Sequence, residues 1–236
     1  MRRLLAFCMV LLPSGLKRHL GRWFFGWDIH PTAYLGRSLV MVNRLVMGPG
    51  SSIGPFNVIR DLEELRLDEG ASIAARNWIA GFPLDSPHFP NSPNRDPSLV
   101  LGKGAMITVG HEIDCADRVE IGDHAGLAGF RCTVLTHSLD LVRDRFVTQP
   151  VEVGHHTAIM TDVVLLNGTR VPPRCIVSAG SVVNTRLTEE LTFYCGNPAE
   201  ATRTLPATLK YFRRGEAKLD DATKSELETA AGEPAS

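Results

Sequence analysis

From residue 29 onward an apolar residue recurs at every sixth position. Ile29, Leu35, Met41, Met47, Ile53, Ile59 and Leu65 form an unbroken comb. In a chain that is 44% hydrophobic, seven such teeth would all be apolar by chance about 0.3% of the time, so a recurring comb carries information. It does recur. After a two-residue slip come Leu67, Ile73 and Ile79, then Leu101, Ile107, Ile113 and Val119. A second slip leads to Ile121 and Leu127, and the last run is Val153, Ile159, Leu165, Val171, Val177 and Val183.

A period of six does not keep one face of an α-helix, but it does keep one face of an extended strand, because six is even. A strand of this length cannot stay straight. The pattern therefore predicts a coil of short strands joined by tight turns, with every tooth inward and successive coils paired in parallel about 4.8 Å apart. Glycine follows the tooth in Leu35-Gly36, Met47-Gly48, Ile53-Gly54, Ile121-Gly122 and Val153-Gly154, where a turn needs a residue without a Cβ. The predicted class is all-β, a β-helix of hexapeptide repeats over 29–186.

Two stretches break the comb. Residues 80–98 hold Pro83, Pro87, Pro90, Pro93 and Pro97 and cannot be an inner strand. Residues 134–150, which include His137 and Asp140, are the second excursion. A rigid scaffold carrying two loops is a common way to build a site.

The flanks differ from the comb. Residues 1–28 carry Arg2, Arg3, Lys17, Arg18 and Arg22, with no acid before Asp28, together with Phe7, Trp23, Phe24, Phe25 and Trp27. The apolar run Leu4–Leu12 is far shorter than the roughly 20 residues a bilayer span needs. Basic residues interleaved with large aromatics suit a helical segment lying on an anionic membrane surface; sealing the open end of the coil is the competing reading. Residues 187–214 read as a closing segment with a short helix, and 215–236 as an acidic, disordered tail.

A net charge of −1 argues against a general nucleic-acid binder. The five cysteines are scattered without a CxxC, which argues against structural zinc or a disulfide framework and for a reducing compartment. The expected location is cytoplasmic, peripheral at the inner face of the plasma membrane.

The stretch Val177–Leu205, VSAGSVVNTRLTEELTFYCGNPAEATRTL, resembles the closing pattern of the hexapeptide-repeat acyltransferases, with Gly196, Asn197, Pro198 and Ala199 matching residue by residue. That resemblance, to sugar O-acetyltransferases in particular, implies a left-handed parallel β-helix, a homotrimer and acetyl-CoA or another acyl-CoA as donor. It further implies acyl transfer to a sugar hydroxyl of a surface-polysaccharide or lipid-linked glycan intermediate, with a histidine as general base. Alternatives are an amine or non-sugar acceptor, or a non-catalytic scaffold. LTHSLD, Leu135–Asp140, resembles the position of the base and puts it at His137, an imidazole suited to proton transfer near neutral pH. Asp140, Glu152 or a backbone carbonyl is expected to orient its other nitrogen, and Asp140 to touch substrate. His111 stands where related enzymes have an asparagine and is expected either to bind acceptor or serve as oxyanion donor, or to be a turn histidine on the outside of a coil. His88 is expected to bring a lid over the site. Ala158, Thr161, Ala179, Gly180 and Arg203 fit the donor by position. His124, His155 and His156 are expected at solvated outward turns. No metal is expected: the same fold houses γ-type carbonic anhydrases with a His…HxxxxH pattern, and here no two histidines lie five apart.

Overall fold

The computed structural model describes residues 2–215. Short parallel strands stack into a prism with three faces. One face is a sheet of nine strands that includes Ser52–Ile53, Ser72–Ile73, Met106–Ile107, Gly126–Leu127, Ala158–Ile159 and Ile176–Val177. The other two faces belong to one twelve-stranded sheet, because the long strands Leu39–Met47 and Val58–Leu67 bend round the corner between them. This is the left-handed parallel β-helix of hexapeptide repeats implied above.

The comb lies inside. Ile53, Ile59, Leu65, Ile73, Ile79, Leu101, Ile107, Ile121, Leu127, Ile159, Leu165 and Val177 are fully buried in one continuous core. The slips have a structural cause. From Ile53 to Ile73 a coil takes 20 residues, whereas from Ile159 to Val177 it takes 18. The coils from Ile53 to Ile73 and from Ile107 to Leu127 thus carry two extra residues, which interrupt a strict period of six. One tooth was misassigned. Val40, five residues after Leu35, pairs with the inward Ile59, so Val40 and Val42 point inward and Met41 is left partly exposed on the outside.

The turns recur in register. Gly50, Gly70, Gly104, His124, His156 and Arg174 all have positive φ at one corner, and Phe56, Arg76, Gly110, Arg131, Asp162 and Gly180 at the next. At Gly36 the reason for glycine is space, since a Cβ would sit 2.8 Å from the Ile53 carbonyl oxygen.

Inside the second of these corners runs a polar ladder. Asn57 donates its backbone N–H to the Ser38 hydroxyl oxygen at 2.8 Å and its side-chain amide to the Ala74 carbonyl at 2.9 Å. Asn77 repeats this against Asn57 Oδ1 and the Thr108 carbonyl, each at 2.9 Å. Each rung satisfies turn carbonyls and N–H groups that would otherwise be buried without partners.

The N-terminal segment forms two helices, Arg2–Met9 and Ser14–Phe25. They close the first coil: Met9 and Trp27 join the core, and Leu5, Leu12, Leu20 and Phe25 pack on it. Lys17, 2% exposed, donates to the Gly36 carbonyl, and burial together with Arg37 lowers its pKa. At the far end the hairpin Thr192–Cys195 with Glu200–Thr204 and the 3-10 turn Lys210–Arg213 end the described chain. Residues 216–236 of the expected acidic tail lie outside the described residues.

Candidate active site

Both excursions leave the coil at the third corner, two rungs apart. The first departs after the strand Trp78–Gly81 and the second after Thr133–Val134; between them lies the coil whose strand is Glu112–Cys115. That middle coil turns tightly and holds both loops. Asp114 Oδ2 accepts from His137 Nδ1 at 2.7 Å, and from the Thr136 N–H and hydroxyl at 2.9 Å each. The Thr136 hydroxyl in turn accepts from the Asp117 N–H. On the other side Arg95, buried, donates to the carbonyls of Phe82, Pro83 and Ala116, and the Asp96 N–H donates to Asp117.

His137 sits in an aromatic surround built from both loops. Its ring meets Phe82, Phe89 and Phe146 edge to face, at 5.7, 5.6 and 6.0 Å between centroids. Arg95 also stacks on the buried Phe89 ring. His88 is exposed and meets Phe82 and Phe146 the same way. The side chain of His137 keeps 26% of its surface and lines a cleft of about 280 Å³ with Arg60, Trp78, Ala80, Glu112 and Asp114.

The electrostatics define the proton's place. Burial pushes the Asp114 carboxyl up, but the hydrogen bond and charge of His137 and the two bonds from Thr136 outweigh it and hold it below the usual carboxylate range. An ionised carboxylate only accepts, so Nδ1 of His137 carries the hydrogen. In the neutral ring Nε2 then keeps a free lone pair, an arrangement suited to an oriented general base.

The structure revises several expectations. The orienting carboxylate is neither Asp140 nor Glu152. Asp140 caps its own turn and pairs with Arg143 at 2.9 Å, because the hairpin His137–Asp140 with Arg145–Thr148 carries it away. Glu152 pairs with Arg170 on another face. His111 is 1% exposed and forms the next rung of the ladder. Its Nδ1 accepts from the Cys132 N–H at 3.1 Å and its Nε2 lies 2.9 Å from the Thr108 hydroxyl. With both nitrogens engaged it offers nothing to an acceptor or oxyanion, and burial lowers its pKa to about 4. His124 and His156 are only partly exposed: they stack at 5.0 Å, and His156 Nε2 bonds the Arg214 carbonyl.

The expected donor residues gather elsewhere. Thr161, Ala179 and Gly180 share the corner after Ala158–Ile159, where the Gly180 N–H donates to the Thr161 carbonyl. Gly180 is exposed at φ 72° with open space round its Cα. Arg203 stacks on Phe193 at 4.5 Å on the terminal hairpin. An exposed, small-residue corner with an exposed guanidinium fits a pantetheine arm and a phosphate. Among the described residues no three His, Cys, Asp or Glu side chains are placed to hold a metal ion.

Asp114, Phe82, Phe89, Arg95 and Phe146 are the site residues sequence reasoning missed. Once the structure pairs Ile113 with Val134, Asp114 falls next to Leu135, two residues before the histidine, but Val134 lies outside the comb, so the period alone did not give this pairing.

The sequence matches no family model and no curated protein. Solved structures resemble the chain in fold. A maltose O-acetyltransferase from Clostridium difficile 630 is 19% identical with a TM-score of 0.43, over 46% of this chain and 59% of that one. A hexapeptide-repeat acetyltransferase from Vibrio cholerae O1 biovar eltor, solved with acetyl coenzyme A, is 20% identical with a TM-score of 0.48, over 87% and 86%. A polysialic acid O-acetyltransferase is 16% identical with a TM-score of 0.48, over 85% and 94%. At such values these likenesses carry no functional argument, which rests on the residues themselves.

Proposed function

We propose that the protein is an acyl-CoA-dependent O-acyltransferase, acetyl-CoA being the donor, that acts on a sugar hydroxyl by direct transfer. The observation that carries this reading is the Asp114–His137 pair at 2.7 Å, held between two loops and open to a cleft. His137 Nε2 takes the proton of the acceptor hydroxyl as the oxygen attacks the thioester carbonyl. Asp114 holds the ring and stabilises the imidazolium that results. The same proton then passes to the departing thiolate. Ala158, Thr161, Ala179, Gly180 and Arg203 would hold the coenzyme A portion. In one chain that corner and His137 lie on separate parts of the coil, so a homotrimer with the site between neighbours is part of this proposal. Replacing His137 with Ala is expected to lower acetyl-CoA-dependent transfer by about 10²–10⁴-fold with an unaltered melting temperature. Near-normal kcat in the folded variant would refute the role.

The N-terminal helices extend the reading to a lipid-linked glycan at the cytoplasmic face of the membrane. Among the described residues no helix is long and apolar enough to cross a membrane. The outer face of Ser14–Phe25 shows Leu16, Trp23 and Phe24, with Phe7 and Leu11 exposed beside them. Charge contributes less than the count of basic residues implies: Lys17 is buried, and Arg18 is engaged by the Pro31 carbonyl at 2.7 Å. Apolar insertion is therefore the larger part. Truncation would uncover the core, so the test is a Leu11→Ser, Trp23→Ser, Phe24→Ser variant in liposome flotation. It is expected to stay folded and cease to float with anionic vesicles; flotation equal to wild type would end the membrane reading.

A further inference from the structure

On the outer face of the coil, Met41, Arg60, Ala80 and Asp114 stand in successive rungs, each paired with the next. At about 4.8 Å per rung the column runs roughly 14 Å. Ala80 is the gap in it, a methyl group between an arginine and the Asp114–His137 pair. Beside this gap Trp78, half exposed, takes the Arg60 guanidinium at 5.7 Å from its ring. The lower end of the column opens into a second cleft, of about 260 Å³, lined by Met41, Asn43, Asp61, Glu63, Phe25 and Pro83. Pro83 and Phe82 are neighbours, as are Asp61 and Arg60, so the two clefts share a border. The groove thus leads from His137 to the helical cap.

Its charge is one-sided. Asp61, Glu63, Glu112 and Asp114 line it, against Arg60, which is paired with Asp61. Carboxylates accept hydrogen bonds from hydroxyls and repel anions. An exposed indole offers a flat apolar surface to the C–H face of a ring, and a few polar groups beside an aromatic wall are the usual makeup of a ligand site.

We propose that the acceptor is an electrically neutral oligosaccharide laid along the Met41–Arg60–Ala80–Asp114 column. The reacting hydroxyl meets His137 and the remaining rings extend toward the N-terminal helices. This rests on the acyl-transfer reading and specifies its substrate class.

The test measures coenzyme A release from acetyl-CoA by the full chain. The acceptors are p-nitrophenyl glycosides of one, two and three neutral hexoses, and the same lengths carrying a uronic or sialic acid. In the neutral series kcat/KM is expected to rise about tenfold or more from one ring to three. Acid-bearing acceptors are expected to be about tenfold poorer at low ionic strength, with the gap narrowing as salt screens the groove. Trp78→Ala and Ala80→Leu are each expected to raise acceptor KM about tenfold with a smaller change in kcat, and Met41→Trp to collapse the ratio of three-ring to one-ring transfer. Melting curves establish that each variant is folded. A preference for acidic acceptors, no gain with length, or kcat losses without KM changes would overturn the proposal, as would transfer to amines alone, which leaves acyl transfer standing. Absence of any His137-dependent coenzyme A release would refute acyl transfer itself. In that case quenching of fluorescence by the neutral trisaccharide, present in wild type and lost in Trp78→Phe, supports the groove independently, and its absence overturns it.

Discussion

The two corners that bound the strand Glu112–Cys115 treat histidine in opposite ways. At the corner before it, His111 continues a ladder begun by Ser38, Asn57 and Asn77. There the imidazole works as an amide would, one nitrogen accepting and the other paired with a hydroxyl. At the corner after it, the coil releases its loops, and His137 has one nitrogen on Asp114 and its ring at the edge of a cleft. The residue type is the same and the two sit on adjacent coils. The difference is whether the corner closes tightly, which consumes every polar atom, or opens, which leaves a nitrogen for chemistry.

The largest effect that sharpens this contrast comes from Asp114. Asp114→Asn keeps the size of the side chain but presents a donor or a weaker acceptor to His137, so the ring loses its fixed tautomer. Activity is expected to fall on the order of 10²-fold, mainly in kcat. Steady-state kinetics on the folded variant checks this; a KM effect with kcat preserved would assign Asp114 to acceptor binding instead.

A smaller effect belongs to His111, and it appears in stability. Its folded pKa of about 4 lies below the ordinary histidine value, so the unfolded chain binds the extra proton first. The contribution is fully present above about pH 6.5 and is lost as pH falls toward 4, by up to on the order of 3 kcal/mol. Urea unfolding at pH 7.5, 5.5 and 4.5 is expected to show that decline. His111→Asn, which extends the ladder with its own residue type, is expected to remove most of it while leaving transfer activity in place. If the variant matches the wild-type acid profile, another group is responsible. If it loses activity as His137→Ala does, the two corners are not functionally distinct.

The coil was legible because its teeth obey a local rule. Ile53, Ile59, Leu65, Ile73 and Ile79 are buried as the comb predicts, since alternation along a strand decides inside from outside without reference to distant residues. Met41 failed for a local reason too: the step from Leu35 to the inward Val40 is five residues rather than six, and neither Val40 nor Val42 distinguishes itself in sequence. His137 was legible by resemblance, and the departure of its loop from the break in the comb. The ladder was not, because asparagine at a turn reads as turn chemistry whether its amide points out or in.

By itself the sequence determined the repeating coil, its apolar interior, and the two places where chain leaves it, because period and proline act over a few residues. Tertiary structure alone decided which side chains meet at the third corner. Asp114 and His137 are 23 positions apart, and Arg95 reaches the Ala116 carbonyl across 21. Those distances span a coil whose length is set by loops and two-residue insertions, so no fixed spacing records them. Whether a histidine becomes a rung or a base depends on which coil lies above it, and stacking is settled only when the whole prism is packed.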